Sequence, residues 1–590
     1  MPPTAKTSAP ARPAAAPESA PVLEAAISDL KAGATTWSHV TLGQRARLLE
    51  RVRATVVAVA EEWAETAVAS KGLTPDHPLR GEEWLGGPYA MLTALDAYRR
   101  ALLKLEKGGS PLDGVKTDAA PGGRVRVHAF PLDAMDGLLL SGHTGEVWLE
   151  PGVTEAEATR AAGLAQLSPG ASGGVGLVLG AGNVTSIPVL DVLYELIAHN
   201  RVSILKVNPT QDPLVPVFER ALAPLLELGF VRIVTGGGDV GAYLTEHPGI
   251  DNVHITGAAA TFDTIVWGPS RGAGAAQTER RRREDRPRLK KPITAELGGV
   301  SPIIVVPGRW TDADIAYHAE HIATMRLQNS GSNCIAGQVV VLSSDWPQRE
   351  QFTAALEAAY SAAPARPVWY PRSDEKLAAA ASDYPSALWF ADGTRALVEL
   401  GADADATALE RTEYFSPVLG VVEVPGLGQE FLDGAVAHAN DRLTGTLGAN
   451  VLIDPVTQEA LGDGFERAIA DLRYGAVAIN TWTAFVYMQP TLTWGGFPGA
   501  TLAEVGSGLG VVHNALLLDR VERSVARGPF RPFPRSASAI GRPGIFSVLP
   551  KPPWFVGART GAAVCEGFTR FQMHHDYAGL GKTLLQALRA

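Results

Sequence analysis

Cysteine is nearly absent from this chain: its 590 residues contain two, Cys334 and Cys565. Two thiols cannot build the disulfide framework that stabilises small secreted domains. The charged, apolar and small-residue series of a secretory leader is also missing, so the expected setting is a reducing cytoplasm. No apolar run reaches the roughly 18 residues that a membrane-spanning helix needs, since Val175 to Leu193 is broken by Gly, Asn and Pro. No membrane span is expected. Nor is there a surplus of positive charge: 62 acidic against 52 basic residues give a net charge of -10, which argues against general affinity for nucleic acid. Solenoid-type repeats are not visible either.

What is present is enough chain for two or three hydrophobic cores. The first 20 residues, rich in Ala and Pro, lack periodic apolar positions and read as a disordered tail. From Thr41 to Leu73, apolar residues at Leu42, Ala46, Leu49, Val52, Val56, Val59 and Ala60 recur at helical spacing, predicting one long helix or two in series. Between Val175 and Thr256 short apolar strands alternate with helical stretches. The predicted strands are 176–179, 202–207, 231–234 and 253–256, and the predicted helices 187–198 and 214–228. That rhythm implies a parallel sheet covered by helices. A second α/β unit starts with the strand 302–306, continues through the helix 312–326 and resumes with the strand 338–342. Two such domains meeting near Glu296 would enclose a cleft, and ligands of open α/β sheets bind beyond the carboxyl ends of strands.

Gly236-Gly237-Gly238-Asp239-Val240-Gly241 satisfies G-x-G-x-x-G between a strand and a helix. Asp251 follows only ten residues later, where about twenty are expected for a ribose-binding acid. By itself the run is equally a phosphate loop or a plain helix start. More specific is the stretch Leu327 to Gln338, which sets Cys334 among small polar residues just before a strand-like run. So placed, it reads as a working thiol. Upstream, Glu296-Leu297-Gly298-Gly299 supplies a carboxylate followed by two glycines that permit close backbone approach.

Together these segments resemble the catalytic core of the NAD(P)-dependent aldehyde dehydrogenases. Asn183 in a loop after a strand, Lys206 ending the next strand, Gly257 after Ile255-Thr256, then Glu296, Cys334 and Glu413 in Glu413-Tyr414-Phe415-Ser416-Pro417 recur in the family's order. The resemblance covers most of residues 21 to 525. It implies an α/β fold with a Rossmann-type cofactor domain, an α/β catalytic domain and a small bridging or oligomerisation element. The implied boundaries are 21–295 for the cofactor domain, including a bridging hairpin at about 114–174 and a basic loop at about 270–291, 296–480 for the catalytic domain, 481–527 for a return to the cofactor and bridging region, and 528–590 for a C-terminal extension.

The resemblance further implies oxidation of an aldehyde to its acid through a thioester. Cys334 is the implied nucleophile, Glu296 the base for water, and the Asn183 amide with the Cys334 N–H the oxyanion donors. Lys206, Asn208, Gly257, Ala258, Leu297, Glu413 and Phe415 would hold NAD or NADP. No metal is implied, and a homodimer or homotetramer is. Transfer of the acyl group to coenzyme A, and a non-catalytic protein on the same fold, are the alternatives; Glu296 speaks against the first and the surviving site residues against the second.

Several positions depart from the family pattern. Three residues after Lys206, where NAD-preferring members often carry a glutamate, stands Pro209, which leaves NADP open. Phe262 occupies the place of a glycine beyond Gly257, putting the pyrophosphate contact in question. Trp482, Phe485 and Tyr487 are candidates for an aromatic entry channel. The Arg-rich segment Arg280 to Lys291 is expected as a solvated loop. Cys565 reads as buried packing and His574-His575 as surface residues. Aromatics of the extension, Trp554 and Phe568 among them, are expected to anchor it on a subunit surface.

Overall fold

A computed structural model describes residues 19–532, 547 and 549–589. Residues 1–18 of the expected tail lie outside them, as does Pro534 of the Pro-rich opening of the extension. Ala20, grouped with the tail on composition, already opens the helix Ala20–Trp37.

Thr41 fixes the start of the next helix. Its hydroxyl accepts the Gln44 N–H at 3.3 Å while the Gln44 side chain accepts the Thr41 N–H at 2.8 Å, a reciprocal cap that satisfies two otherwise free donors. One helix, Leu42–Ser70, follows. It buries Leu49, Val52, Val56, Ala60 and Trp63, the face that the apolar spacing predicts. Arg45 ties this helix to the first. The buried guanidinium donates to Gln166 at 2.7 Å, to Asn200 at 2.6 Å and to the Trp37 carbonyl at 3.0 Å, so its charge is enclosed but fully hydrogen-bonded.

The first sheet has the strand order Gly508–Leu509, Ile293–Leu297, Asn252–Gly257, Val175–Leu179, Val202–Lys206, Val231–Val234, with every neighbouring pair parallel except the short first one. Val175–Leu179 lies between the strand that follows it and the strand that comes fourth in the chain. Winding therefore reverses beside it, and a crevice opens there at the carboxyl ends. The helix expected over 214–228 is instead two, Val215–Ala221 and Ala223–Glu227. Pro216 and Pro224 stand in their first turns, and the N–H that Pro224 lacks is one a continuous helix would need.

The second sheet carries eleven strands. From one edge they run Thr117–Ala120, Arg124–Phe130, Thr144–Leu149, Val521–Arg527, Ala476–Ile479, Gly448–Leu452, Ser301–Val305, Gly337–Ser343, Val418–Val424, Arg395–Glu399 and Leu388–Phe390. The hairpin expected within the first domain therefore belongs to this second sheet and not to the six-stranded one with which its sequence position grouped it. Val521–Arg527 makes the join, pairing antiparallel with Thr144–Leu149 and parallel with Ala476–Ile479.

The Arg-rich segment differs from the expected loop as well. Residues Ala275–Arg283 form a helix with no buried residue. Its charges are partly compensated: Arg280 pairs with Glu284 one turn on at 2.8 Å, Arg282 with Asp263, and beyond the helix Arg288 pairs with Glu246. Among the described residues no helix is long and apolar enough to cross a membrane.

Candidate functional site

A cleft of about 710 Å³ opens at the carboxyl ends of the first sheet and reaches the second domain at Cys334. Asn183, Lys206, Asn208, Gly257, Ala258, Glu296, Cys334, Glu413 and Phe415 all line it. Leu297 does not. Its side chain is fully buried against Ile255, Phe262 and Trp267, and its N–H donates to the Ser507 carbonyl at 2.8 Å, so it supports the wall without facing the ligand space. Phe262, the bulky departure after Gly257, is buried in that same cluster and leaves the cleft clear.

Cys334 follows a tight turn in which Asn329, Ser330 and Gly331 all adopt positive φ, 50°, 57° and 69°. Such conformations cost free energy in non-glycine residues and persist where surrounding contacts enforce them. At Gly331 a side chain is excluded outright, because a Cβ would lie 2.7 Å from the Ser416 carbonyl. Asn329 holds the turn. Its amide donates to the Asn183 carbonyl at 2.9 Å and to the Ser332 carbonyl at 3.0 Å, while its oxygen accepts Lys71 Nζ at 3.0 Å. The Asn183 amide in turn donates to the Ser332 carbonyl at 3.0 Å, fixing that loop beside the thiol.

Glu296, 4% exposed, accepts the Trp494 indole N–H at 2.9 Å. Burial pushes its carboxyl up to about 7, against the opposing hydrogen bonds from Trp494 and the Cys334 thiol. The same burial, with the Glu296 carboxylate alongside, raises the Cys334 thiol well above its ordinary value. At rest the pair therefore holds a protonated thiol next to a carboxyl that titrates near neutrality.

Glu413 lies where the backbone of Gly298 passes so close that a Cβ there would sit 1.9 Å from its Oε1. Burial pushes its carboxyl up to about 7, opposed by nearby Lys376. Oε1 is buried and has no hydrogen-bond partner, a costly arrangement unless a ligand donor completes it. Lys376 stands 5.2 Å over the Phe415 ring. At the other end of the cleft, Lys206 is half-buried, and Asn208 accepts the Thr210 N–H at 3.2 Å to cap the turn Pro209–Leu214. Gly237, Gly238 and Gly241 also line this end, although their spacing from Asp251 does not fit a ribose-binding fingerprint.

Sequence reasoning missed Trp494, Lys376, Tyr370 and the group around Asn329. That group includes the buried ion pairs Lys71–Glu83 at 2.8 Å and Arg366–Glu82 at 2.6 Å.

A cysteine, an amide and a carboxylate thus meet at the mouth of a Rossmann-like crevice, with a second α/β sheet behind. Residues 183–373 match the family model described as the aldehyde dehydrogenase family, and solved structures of aldehyde dehydrogenases share the fold of the chain. The NAD-dependent aldehyde dehydrogenase from Sinorhizobium meliloti superposes with a TM-score of 0.56 at 18% identity, over 88% of this chain and 88% of that one. An aldehyde dehydrogenase from Mycobacterium tuberculosis, complexed with NAD+, gives 0.56 at 18% identity over 86% and 90%. A mutant of aldehyde dehydrogenase C from Pseudomonas syringae, complexed with NAD+ and octanal, gives 0.56 at 18% over 86% and 89%. At such identities these likenesses speak to the fold.

Proposed function

We propose that the chain oxidises an aldehyde to a carboxylic acid with NAD or NADP through a covalent thioester at Cys334. The observation that carries this reading is that Cys334, Glu296 and the fixed Asn183 amide line one cleft of dinucleotide size, with burial pushing the Glu296 carboxyl up to about 7.

The residues fit the cofactor. The unpartnered Oε1 of Glu413 suits a ribose hydroxyl, Lys206 suits the adenosine ribose, and the N terminus of the helix Ala259–Val266 presents backbone N–H groups to phosphate oxygens. The bound dinucleotide supplies the hydride acceptor. Glu296 takes the thiol proton as Cys334 sulfur bonds to the aldehyde carbon, and the developing oxyanion accepts from the Asn183 amide and the Cys334 N–H. With the dinucleotide bound to accept it, hydride would leave that carbon as the carbonyl re-forms, and the sulfur would keep the acyl group as a thioester. Once it has released the thiol proton to solvent, Glu296 takes a proton from a water that attacks the acyl carbon, and returns it to the Cys334 sulfur as the acyl–sulfur bond breaks and the acid forms. Trp494 keeps the carboxyl aimed throughout by its hydrogen bond.

Aldehyde-dependent reduction of NAD or NADP, followed at 25 °C with and without coenzyme A, tests the reading. Acid is the expected product, and an absolute requirement for coenzyme A would replace water by that thiol as acyl acceptor. Loss of reduction with every aldehyde in a broad panel would remove the activity.

Cofactor choice is the next expected outcome. Pro209 begins the turn after Lys206 and brings no carboxylate to the ribose, so that position does not repel a 2′-phosphate. kcat/KM with NADP should fall within about 100-fold of that with NAD, a gap of about 2.7 kcal/mol or less. Pro209→Glu should shift preference toward NAD by adding a ribose acceptor and a repulsive charge together. Strict NAD dependence of the unmodified protein would locate the choice elsewhere in the pocket.

A further inference from the structure

A second cavity, of about 100 Å³, is bounded by Asn333 and Ile335 on either side of Cys334 in sequence, and by Val184 next to Asn183. Trp482, Phe485, Tyr487 and Tyr89 make its sides aromatic. Of the charges on its wall, Lys71 Nζ bonds Glu83 at 2.8 Å and Asn329 at 3.0 Å, and Glu82 pairs with Arg366 at 2.6 Å through Oε2 while its Oε1 has no partner. Trp554 and Phe568 also line it, and both come from the C-terminal extension.

That extension is held across the cavity from both domains. On the catalytic side Lys551 pairs with Glu320 at 2.8 Å, the Val556 N–H donates to Thr324 Oγ1 at 3.1 Å, and Phe555 stacks on His321 at 4.9 Å between ring centres, all on the helix Asp312–Leu327. On the other side the helix Gly561–His574 meets the N-terminal helices, through Arg80–Glu566 at 2.9 Å and the Thr569 hydroxyl donating to the Trp84 carbonyl at 3.3 Å. Anchored at both ends, the segment is a fixed wall.

We propose that this second cavity receives the body of the aldehyde and that Trp554 and Phe568 restrict it to compact, uncharged, apolar aldehydes. The inference rests on the aldehyde-oxidising reading of Cys334. Size decides the class: a dry apolar cavity of about 150 Å³ accommodates benzene, so 100 Å³ takes a short chain or a single ring with slight adjustment of its walls. Long chains would have to displace the indole of Trp554. Lys71, bound to Glu83 and Asn329, gives an anionic substituent no free partner, and a cationic one would meet Glu82 beside Arg366, which already pairs with it; desolvating either charge is costly.

Butanal, benzaldehyde and decanal assayed with the full chain, and with Trp554→Ala and Phe568→Leu, form the test. In the unmodified protein kcat/KM for butanal or benzaldehyde should exceed that for decanal by about tenfold or more, and each substitution should narrow that ratio by about tenfold. A ratio unmoved in both variants, or an unmodified protein that favours decanal, overturns the inference. Should no aldehyde be oxidised at all, binding decides: benzamide should raise the melting temperature of the unmodified protein, 2-naphthamide should not, and Trp554→Ala should admit the larger amide. That pattern would uphold the cavity assignment while removing the oxidation chemistry. Benzamide failing to stabilise, or both amides stabilising the unmodified protein equally, would remove the cavity assignment itself.

Discussion

Cys334→Ala is expected to abolish aldehyde oxidation while leaving cofactor binding intact. Hydride leaves a carbonyl carbon readily only after that carbon has become tetrahedral and carries an oxyanion, and the sulfur supplies the fourth bond. No other nucleophile takes its place. Cys565 is buried, with Sγ 3.7 Å from the Pro553 carbonyl and the Gly81 backbone packed against it. The cofactor contacts proposed for Lys206, Glu413 and the helix Ala259–Val266 do not involve the sulfur, so the NAD dissociation constant should change by no more than a few fold. Steady-state kcat and a fluorescence titration with the reduced cofactor separate the two effects. Retention of more than about a hundredth of the original kcat, a loss below about 2.7 kcal/mol, would show that covalent catalysis at Cys334 is wrong. Loss of cofactor binding together with turnover would instead make the thiol a structural support of the cleft.

The parts of this molecule that were legible in sequence are those whose physics is local. Val202–Lys206 and Ser301–Val305 are buried on both faces and read as continuous apolar runs, as parallel strands covered by helices do. Thr41 and Gln44 announce a helix start through a three-residue spacing. The order of Asn183, Lys206, Glu296, Cys334 and Glu413 along the chain likewise survives as pattern, and all five meet in one cleft.

What sequence could not supply are contacts made across the fold. Trp494 reaches Glu296 across 198 residues and Lys71 reaches Asn329 across 258. The hairpin expected within the first domain joins the second sheet because Thr144–Leu149 pairs with a strand near the end of the chain. None of these carries a local periodicity. Leu297 shows the converse error: its place beside Glu296 suggested a ligand contact, yet alternation along the strand turns its side chain to the opposite face. Trp554 and Phe568, expected to anchor the extension on a subunit surface, instead line an internal cavity.

Glu296→Gln is expected to separate acylation from hydrolysis. The amide keeps the size of the carboxylate and can still accept the Trp494 N–H through its oxygen, but it cannot take a proton from water. Rapid mixing should give a burst approaching one equivalent of reduced cofactor per site, formed more slowly than in the unmodified protein because the thiol also loses its proton acceptor, followed by turnover lowered by about 10²-fold or more. In the unmodified protein kcat should rise as pH increases through about 7, where burial places the Glu296 titration, and this rise should vanish in the variant. Stability should respond in the opposite sense. Because the folded-state value is raised from 4.5 to about 7, the native state holds this proton more tightly than the unfolded chain does. Its contribution is therefore fully present below pH 4.5 and is lost as pH rises through about 7. That loss is on the order of 3 kcal/mol or less at 1.36 kcal/mol per unit. The glutamine, which never ionises, escapes it, so the variant should melt at a higher temperature than the unmodified protein at pH 8 and the gap should close toward pH 5. A melting difference that does not change between those two pH values, with steady-state turnover also unaltered, would take Glu296 out of both roles.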